Sequence, residues 1–526
     1  LSDGIQYKEF VRIREGIISH DELLIIAKYL FGNYPKLCSI VKDKYKFIFI
    51  DEYQDTSEDV VEIFLNHFKT SNKKNIIGFF GDAMQSIYDD GIGNLDKYKG
   101  DDDGTVNEVF KMQNRRSPQL VIDLANKLRT DAIKQEPSTD QNAPNMIDGV
   151  VKQGKILFLY SNSDDTDTAK SFLKEKENWN FDKKVESSTN IGEIKTKELN
   201  LTHNLIAEKA EFKNLMDIYD KDHILSFRDR LKKYIKENEI TTDFSECTFG
   251  QVIGELQRGK IGRELKAISP TDTMQAFINN HEALYDDAKS IMYSKFSRIY
   301  VDKDQLIDDK KQNEDDENKK GSKRDDLIKH LYKIQTNISL YQNKKYNEFL
   351  RATDFRFKIE KISDKKTLKE NIENLVNVDE KTIEDVINFA HEKEICLKDD
   401  KFNSFKEKNE YLYNRVKAVK FSEFQKLYDY LEGNTPFSTQ HKIKGAEFDN
   451  VLVVLDNGGW NNYNFEKMFL GTASESVMNR TQKIFYVCCT RAKENLSVFF
   501  HNPDEQVIER AKEWFGNGNV INLDVL

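Results

Sequence analysis

Apolar positions cluster in short uninterrupted runs towards both ends of the chain. The clearest lie at 47–50, 76–80, 156–160, 451–455 and 496–500, each followed by polar or glycine-containing sequence. Runs of this length with little alternation predict strands buried on both faces of a parallel sheet. Between them, residues 22–31 and 118–128 carry apolar positions at helical spacing. Strand alternating with helix predicts an α/β fold. The middle of the chain is different. From about 211 to about 430 it is rich in Lys, Glu, Leu, Ile and Tyr, with few strand-type runs, and 326–341 and 381–394 show helical spacing. This stretch predicts a mostly helical insertion. Residues 302–326 are almost wholly charged or polar, which predicts a mobile loop that buries too little surface to offset its ordering entropy. Asp101–Asp103, flanked by glycines, predicts a shorter exposed loop.

Charged residues make up 32% of the 526 positions and the formal net charge is −10. That balance argues against a simple basic nucleic-acid coat, although a local basic groove remains compatible with it. No apolar run approaches the roughly 20 residues of a membrane span, so no membrane association is expected. The N-terminus lacks the apolar core of a signal peptide. The five cysteines form no C-x-x-C pair, which leaves zinc and redox readings weak and fits a reduced, cytoplasmic setting. Cys488 and Cys489 read as small core residues. The chain starts at Leu1 rather than Met, which suggests a fragment or a processed product.

Candidate chemistry begins where the first apolar run ends. Residues 47–50 are followed at once by Asp51-Glu52-Tyr53-Gln54-Asp55-Thr56. Two acids at the carboxyl end of a buried strand point into the crevice where ligands of such sheets bind. Asp51 suits Mg²⁺, a hard cation that prefers carboxylate oxygen. Glu52 suits orientation or deprotonation of a water. Taken alone, an apolar run followed by two acids is more often a solvated strand end. The second run leads into Gly81-Asp82-Ala83-Met84-Gln85-Ser86-Ile87-Tyr88.

The full strings resemble the UvrD/Rep/PcrA type of superfamily 1 DNA helicase. Asp51-Glu52-Tyr53-Gln54-Asp55-Thr56 is similar to its Walker B motif, and Gly81 to Tyr88 to motif III, G-D-x-x-Q-S-I-Y. The resemblance implies that Gln85 senses the γ-phosphate and that Tyr88 stacks on single-stranded bases. The family usually continues with Trp-Arg-Gly, whereas this chain has Asp89-Asp90-Gly91, which weakens the expected DNA grip there. Gln113-Asn114-Arg115-Arg116-Ser117 resembles motif IV, with Arg116 at the position that reaches the γ-phosphate and Arg115 in place of an adenine-stacking Tyr. A guanidinium fork suits phosphate oxygens. Thr439-Gln440-His441-Lys442-Ile443-Lys444-Gly445-Ala446-Glu447-Phe448 resembles motif V. It implies that Thr439 and His441 meet single-stranded DNA and that Glu447 meets the nucleotide. Tyr486-Val487-Cys488-Cys489-Thr490-Arg491-Ala492 resembles motif VI, with Arg491 as the arginine finger. Residues 197–207 predict a strand entering a helix, with His203 in a turn or capping role. Within the family, the short C-terminus and abbreviated motif III are similar to helicase subunits of bacterial anti-phage systems such as Gabija.

The resemblance implies two RecA-like parallel-sheet motor domains, the first incomplete, around a large helical insertion. Residues 1–112 correspond to part of domain 1A, 113–210 and 433–526 to domain 2A, and 211–432 to domain 2B. It implies ATP and Mg²⁺ as cofactors, single-stranded and duplex DNA as substrates, and a nuclease, repair or defence protein as partner. Its activity would be ATP-dependent 3′-to-5′ translocation. One part is missing from the string: no G-x-x-x-x-G-K-[ST] occurs, and the Gly-Lys pair at 259–260 is followed by Ile261. The expectation is therefore a fragment without its phosphate-binding loop, inactive in ATP hydrolysis by itself, with some apolar sheet face left bare. Two other readings compete. One is a non-enzymatic DNA- or partner-binding module on a helicase scaffold. The other is a metal nuclease using Asp51 and Glu52, which no further acid/Lys constellation supports.

Overall fold

The computed structural model describes residues 4–7, 11–88, 91–99, 106–181, 195–220, 222–308, 322–378 and 380–525. Asp89, Asp90, the Asp101–Asp103 loop and most of the polar stretch within 302–326 lie outside the described residues. The chain divides into two compact units, Leu1–Ile206 with Asn434–Leu526, and Ala207–Gly433.

The first unit is α/β with parallel sheets. Its larger sheet has six strands, which we number with the others along the chain. Strands β1 (Phe47–Ile50) and β2 (Ile76–Phe79) form a separate two-stranded parallel sheet. Strands β3 (Lys155–Ser161), β4 (Thr196–Asn200), β5 (Phe437–Thr439), β6 (Phe448–Leu455), β7 (Ala492–His501) and β8 (Val520–Asn522) pair in the order β5-β4-β6-β7-β3-β8, every pair parallel. Alternate residues serve opposite faces, as the pleat requires. Ile156, Phe158, Val451, Val453, Leu496 and Val498 join one core cluster, with the helices Gln119–Leu128, Glu475–Cys489 and Glu505–Phe515 packed on it. Leu157, Leu159, Leu452, Val454 and Phe499 join a second cluster on the other face, over the helix Asp167–Glu177. Cys488 and Cys489 are fully buried in the first of these, as small core residues.

The expectation of burial on both faces holds for β3, β6 and β7 and fails for β1 and β2. Ile48 and Ile77 pack towards Cys38, Ile63 and Phe68 on the helical side. Phe47, Phe49, Ile76 and Phe80 are more than half exposed on the other. Phe49 meets Phe80 edge-on at 5.7 Å. An apolar run reports that a strand wants cover on both sides, and here only one layer of helices covers this pair.

The second unit is built from helices, with no strand among its described residues. One cluster gathers Ile224, Phe227, Leu231, Phe249, Val252, Phe296 and Tyr411. The glycines at 250 and 254 lie within the helix Phe249–Gln257, so the Gly-Lys sequence that follows belongs to no strand–loop–helix phosphate cradle. Part of the polar stretch is ordered, contrary to the expectation of a mobile loop over the whole of 302–326. Leu306 and Ile307 are buried, Asp302 caps the turn Lys303–Gln305, and Lys323 Nζ meets Asp304 Oδ2 at 2.8 Å. Short side chains that cap backbone amides order a segment that has few apolar residues.

Asp325 caps the long helix Asp326–Gln342 and accepts a hydrogen bond from the Tyr219 hydroxyl at 2.7 Å. Burial pushes its pKa up to about 6, against the opposing hydrogen bonds from Ile328 N–H and Tyr219. Because the folded-state pKa is raised, the stabilisation is full below about pH 4 and is lost as pH rises through 6. Asp325→Asn, which keeps an acceptor but no charge, is expected to remove that loss. Urea midpoints followed by circular dichroism at pH 5 and pH 8 should converge in the variant, closing a gap of roughly 1.5 kcal/mol, the part of a two-unit shift that is lost above pH 5. An unchanged gap would assign the pH dependence elsewhere.

Candidate nucleotide and nucleic-acid site

β1 ends at Ile50, and the next two residues turn sharply. Glu52 has φ 49° and ψ 45°, the left-handed region that a residue with a side chain seldom adopts. Such strain persists only where the surroundings over-determine it. Here the Glu52 amide donates to Asp51 Oδ1 at 3.0 Å, and the wholly buried Gln54 donates from Nε2 to Glu52 Oε2 at 2.6 Å. Gln54 Oε1 in turn accepts from the Asp82 amide at 3.2 Å, which ties the end of β1 to the end of β2. Close packing demands glycine at two points of this contact. A Cβ on Gly81 would come within 2.1 Å of Gln54 Oε1, and one on Gly91 within 2.3 Å of the Gln54 carbonyl oxygen.

The loop after β2 meets the larger sheet through a buried ionic clasp. Arg129, at the end of the helix Gln119–Leu128, donates from both terminal nitrogens to Asp82 at 2.9 Å. The Tyr486 hydroxyl donates to Asp82 Oδ2 at 3.0 Å and accepts from Arg129 at 2.7 Å and from Gln135 Nε2 at 2.6 Å. Burial acts to raise the Asp82 pKa, but the Arg129 guanidinium and the other donors overcome it and hold the carboxyl below its usual range. Gln135 Oε1 accepts from Asn114, whose own Oδ1 accepts the amides of Arg116 and Ser117 at 2.9 and 2.8 Å. The motif IV turn and the motif III aspartate therefore share one hydrogen-bonded chain.

Gln85, three residues beyond Asp82, accepts from Arg491 at 3.2 Å. Arg491 is 1% exposed. Its other donors reach the carbonyls of Val487 and Ala446 and the Thr490 hydroxyl. It pairs with no carboxylate among the described residues, in contrast to Arg129, which has Asp82 and Asp131. Burial, with the Arg116 guanidinium beside it, pulls the Arg491 pKa down to about 10. Arg116 Nε donates to Glu447 Oε2 at 2.8 Å. Lys444 is held against Asp55 and donates to the Gln85 carbonyl at 2.8 Å, with Glu52 Oε2 3.8 Å away. Burial raises the Asp55 pKa despite that lysine.

These contacts bring Glu52, Gln85, Arg116, Glu447 and Arg491 into one neighbourhood, with Asp51 bonded to Glu52. Asp51 and Glu52 come from the carboxyl end of β1, and Gln85 from the loop after β2. Glu447 and Arg491 immediately precede β6 and β7, so they come from amino ends. A buried guanidinium without an anion, beside a second arginine, fits the terminal phosphates of a nucleotide. Asp51 and Glu52 fit a Mg²⁺ held mostly by phosphate and water rather than by a protein cage, and the described residues hold no cluster of three or more metal-ligating side chains.

The carboxyl edge of β4, β5 and β6 carries a different set. Tyr88 is 47% exposed and donates to the His441 carbonyl at 3.3 Å. His441 Nε2 lies 2.9 Å from the Tyr463 hydroxyl. Thr439 is buried at the last position of β5, so it braces this edge rather than presenting its hydroxyl outward. Sequence reading missed Asp82, Arg129 and Lys444 as organisers and Trp460 as a neighbour of His441. The Gly458-Gly459-Trp460 turn directly after β6 is the local signal for the last of these. Arg115 pairs with Asp140 at 2.7 Å, and His203 opens the short helix His203–Ala207, consistent with a turn role.

Residues 6–98, which contain both acids, Gln85 and Tyr88, match the UvrD/REP helicase N-terminal domain. Over that stretch the chain is similar to UvrD-type superfamily 1 helicases. Over 515 residues the chain is 26% identical to the Gabija protein GajB of Bacillus cereus (strain HuB5-5), in an alignment that takes in 95% of the chain and 65% of GajB. It is 28% identical over 127 residues to the ATP-dependent DNA helicase PcrA of Staphylococcus aureus, covering 24% of the chain and 17% of that helicase. The PcrA of Staphylococcus epidermidis is 28% identical over 130 residues, with 23% and 17% covered. The chain thus spans about two thirds of one relative's length and a much smaller share of the others. Helicase, ATP-binding and DNA-binding character are the features of this family. No helix among the described residues is long and apolar enough to cross a membrane.

Proposed function

We propose that this UvrD-type chain is motor machinery of an ATP-dependent DNA helicase that moves 3′ to 5′ along single-stranded DNA. The observation that carries the reading is Arg491, a buried cation aimed at Gln85 with Arg116 beside it and no carboxylate to neutralise it. Two RecA-like lobes, residues 1–112 and residues 113–210 with 433–526, would supply the facing edges, and residues 211–432 the inserted helical domain. Mg²⁺-ATP, when bound, supplies the phosphoanhydride whose cleavage drives movement. Asp51 would hold the metal, Glu52 would accept a proton from the attacking water, and Gln85, Arg116 and Arg491 would hold the terminal phosphate. Glu447 orients Arg116 and meets the nucleotide. Tyr88 and His441 touch the DNA strand, with Thr439 supporting them. A nuclease, repair or defence protein is the partner class, which the Gabija relative supports.

The 526 residues contain no G-x-x-x-x-G-K-[ST] sequence, so we propose that they do not hydrolyse ATP by themselves. Tight saturable binding of labelled ATP to this chain alone would contradict that. DNA-stimulated ATP hydrolysis by the whole gene product is expected to fall roughly 10²–10⁴-fold in Glu52→Gln, the range for loss of a general base. Equal rates would end the assignment of Glu52 to catalysis. The missing phosphate loop also favours a second reading, a non-hydrolysing DNA- or partner-binding module. That reading predicts DNA binding by the whole gene product with no ATP turnover in any form.

A further inference from the structure

Gln54 is a neutral side chain set between Glu52 and Asp55, and it is wholly buried. The chain around it is sewn to the loops that follow β2. The Tyr53 amide donates to the Phe80 carbonyl at 3.0 Å, and the Gly93 amide donates to the Gln54 carbonyl at 3.0 Å. The Thr56 carbonyl accepts the Ile92 amide at 2.8 Å. Gly81 packs on the Gln54 side chain and Gly91 on its backbone, with no room for a Cβ at either. A side chain enclosed this closely cannot swing out and leave its place to water.

The Gln54 amide can lie only one way round. A backbone N–H donates and never accepts, so the atom that meets the Asp82 amide at 3.2 Å is the Gln54 side-chain oxygen. The nitrogen then faces Glu52 Oε2 at 2.6 Å, and because that nitrogen donates, the carboxylate oxygen opposite it accepts. Turning the amide over would set donor against donor and acceptor against acceptor, leaving buried groups unpaired. Asp82 is itself held by Arg129 and Tyr486. A line of contacts thus runs from the Arg129 clasp through the Asp82 backbone and the Gln54 amide to the Glu52 carboxylate. The Glu52 side chain is about half exposed, and Lys444 at 3.8 Å is a rotatable point charge that attracts it without fixing its direction. Gln54 supplies the direction.

We infer that Gln54 is a positioning residue, which fixes the Glu52 carboxylate relative to the loop that carries Gln85. This rests on the reading of Glu52 as the general base and deepens it. In the whole gene product, Gln54→Leu is expected to lower kcat for DNA-stimulated ATP hydrolysis roughly 10²-fold per folded molecule, the size expected for a small misplacement of a reacting group, with KM for ATP unchanged. A glutamine that served the fold alone would lower the folded fraction and leave kcat per folded molecule as it was. A second readout needs no nucleotide. In this chain at neutral pH, Gln54→Glu keeps the shape and the acceptor for the Asp82 amide but sets two carboxylates face to face, so the urea midpoint should fall. Combining it with Glu52→Gln exchanges donor and acceptor across the same contact. The midpoint should then recover, and the Asp82 amide should exchange with solvent as slowly as in the unaltered chain, whereas Gln54→Leu should speed that exchange. Undiminished kcat in Gln54→Leu, or no recovery of the midpoint in the exchanged pair, overturns the positioning role. Full hydrolysis in Glu52→Gln removes the general base, and the positioning role falls with it. Loss of hydrolysis in Glu52→Gln with none in Gln54→Leu leaves the helicase reading standing and ends this inference alone.

Discussion

Arg491→Met is expected to lower DNA-stimulated ATP hydrolysis by roughly 10³–10⁵-fold, the range for an arginine finger in phosphoryl transfer, while leaving folded stability unchanged or raised. Both halves follow from the same surroundings. A buried arginine that serves structure carries a carboxylate, as Arg129 does. Arg491 is as deeply buried and has only carbonyls, a hydroxyl and the Gln85 side chain around it. Its lowered pKa records the cost of holding that charge away from water and next to Arg116. An unneutralised buried charge is unfavourable until an anion arrives, so an unbranched apolar side chain of similar length should relieve the fold while removing the donor. The measurements are steady-state hydrolysis by the whole gene product and urea midpoints of the same preparations. Strong destabilisation with intact hydrolysis per folded molecule would make Arg491 a structural residue and remove the main support for the nucleotide site.

Arg129→Met should have the opposite signature: a loss of roughly 3–5 kcal/mol of stability, the range for breaking one side of a buried ion pair. Asp82 would be left at low exposure with Tyr486 as its remaining side-chain donor of strength, and its depressed pKa would return towards or above the ordinary carboxylate range. All three tryptophans lie in the first unit, so tryptophan emission during urea unfolding reports that unit. Pairing Arg129→Met with Asp82→Asn should recover part of the loss, because no buried charge is then unpaired. The sign of the acid response follows from the lowered pKa of Asp82. Its stabilisation is present above about pH 4 and is lost as pH falls towards the lower folded-state value, and the Arg129→Met unfolding curve should lack that acid limb. A loss under about 1 kcal/mol, the size of an exposed pair, would show that the clasp does not hold the loop after β2 to the larger sheet.

The three remaining expectations test different parts of the molecule. Asp325→Asn concerns the helical unit alone. Glu52→Gln concerns the acid on the strained turn, where a neutral isostere keeps the contact with Gln54. Gln54→Leu concerns the buried side chain that aims that acid. Their readouts separate, because the first is a pH profile of stability, the second a hydrolysis rate and the third a division of effect between kcat and KM, with amide exchange beside it.

Local features could be read directly from the sequence. An apolar run ending in Asp51-Glu52 is a strand followed by two acids wherever it sits, and β1 forms at Phe47–Ile50. The runs that became β3, β6 and β7, the helix over 119–128 and the helical character of the middle were likewise set by spacing within a few turns of chain. The strings around Gln85, Arg116, Glu447 and Arg491 were recognisable because each chemistry needs its residues close together in sequence. Encounters between strings were decided only in three dimensions. Gln85 and Arg491 stand 406 positions apart, and nothing local states that they touch. Arg129 belongs to no motif, yet Asp82 is organised by it. Phe47 and Phe49 look the same in the string as Phe158, and only the layers around each sheet made the first two exposed and the last one core. Trp460 reads as a residue in a glycine turn until β6 carries it beside His441. Backbone preference and apolar periodicity act over a few residues, so a sequence displays them openly. Burial, charge neutralisation and stacking depend on which distant surfaces the whole chain brings together.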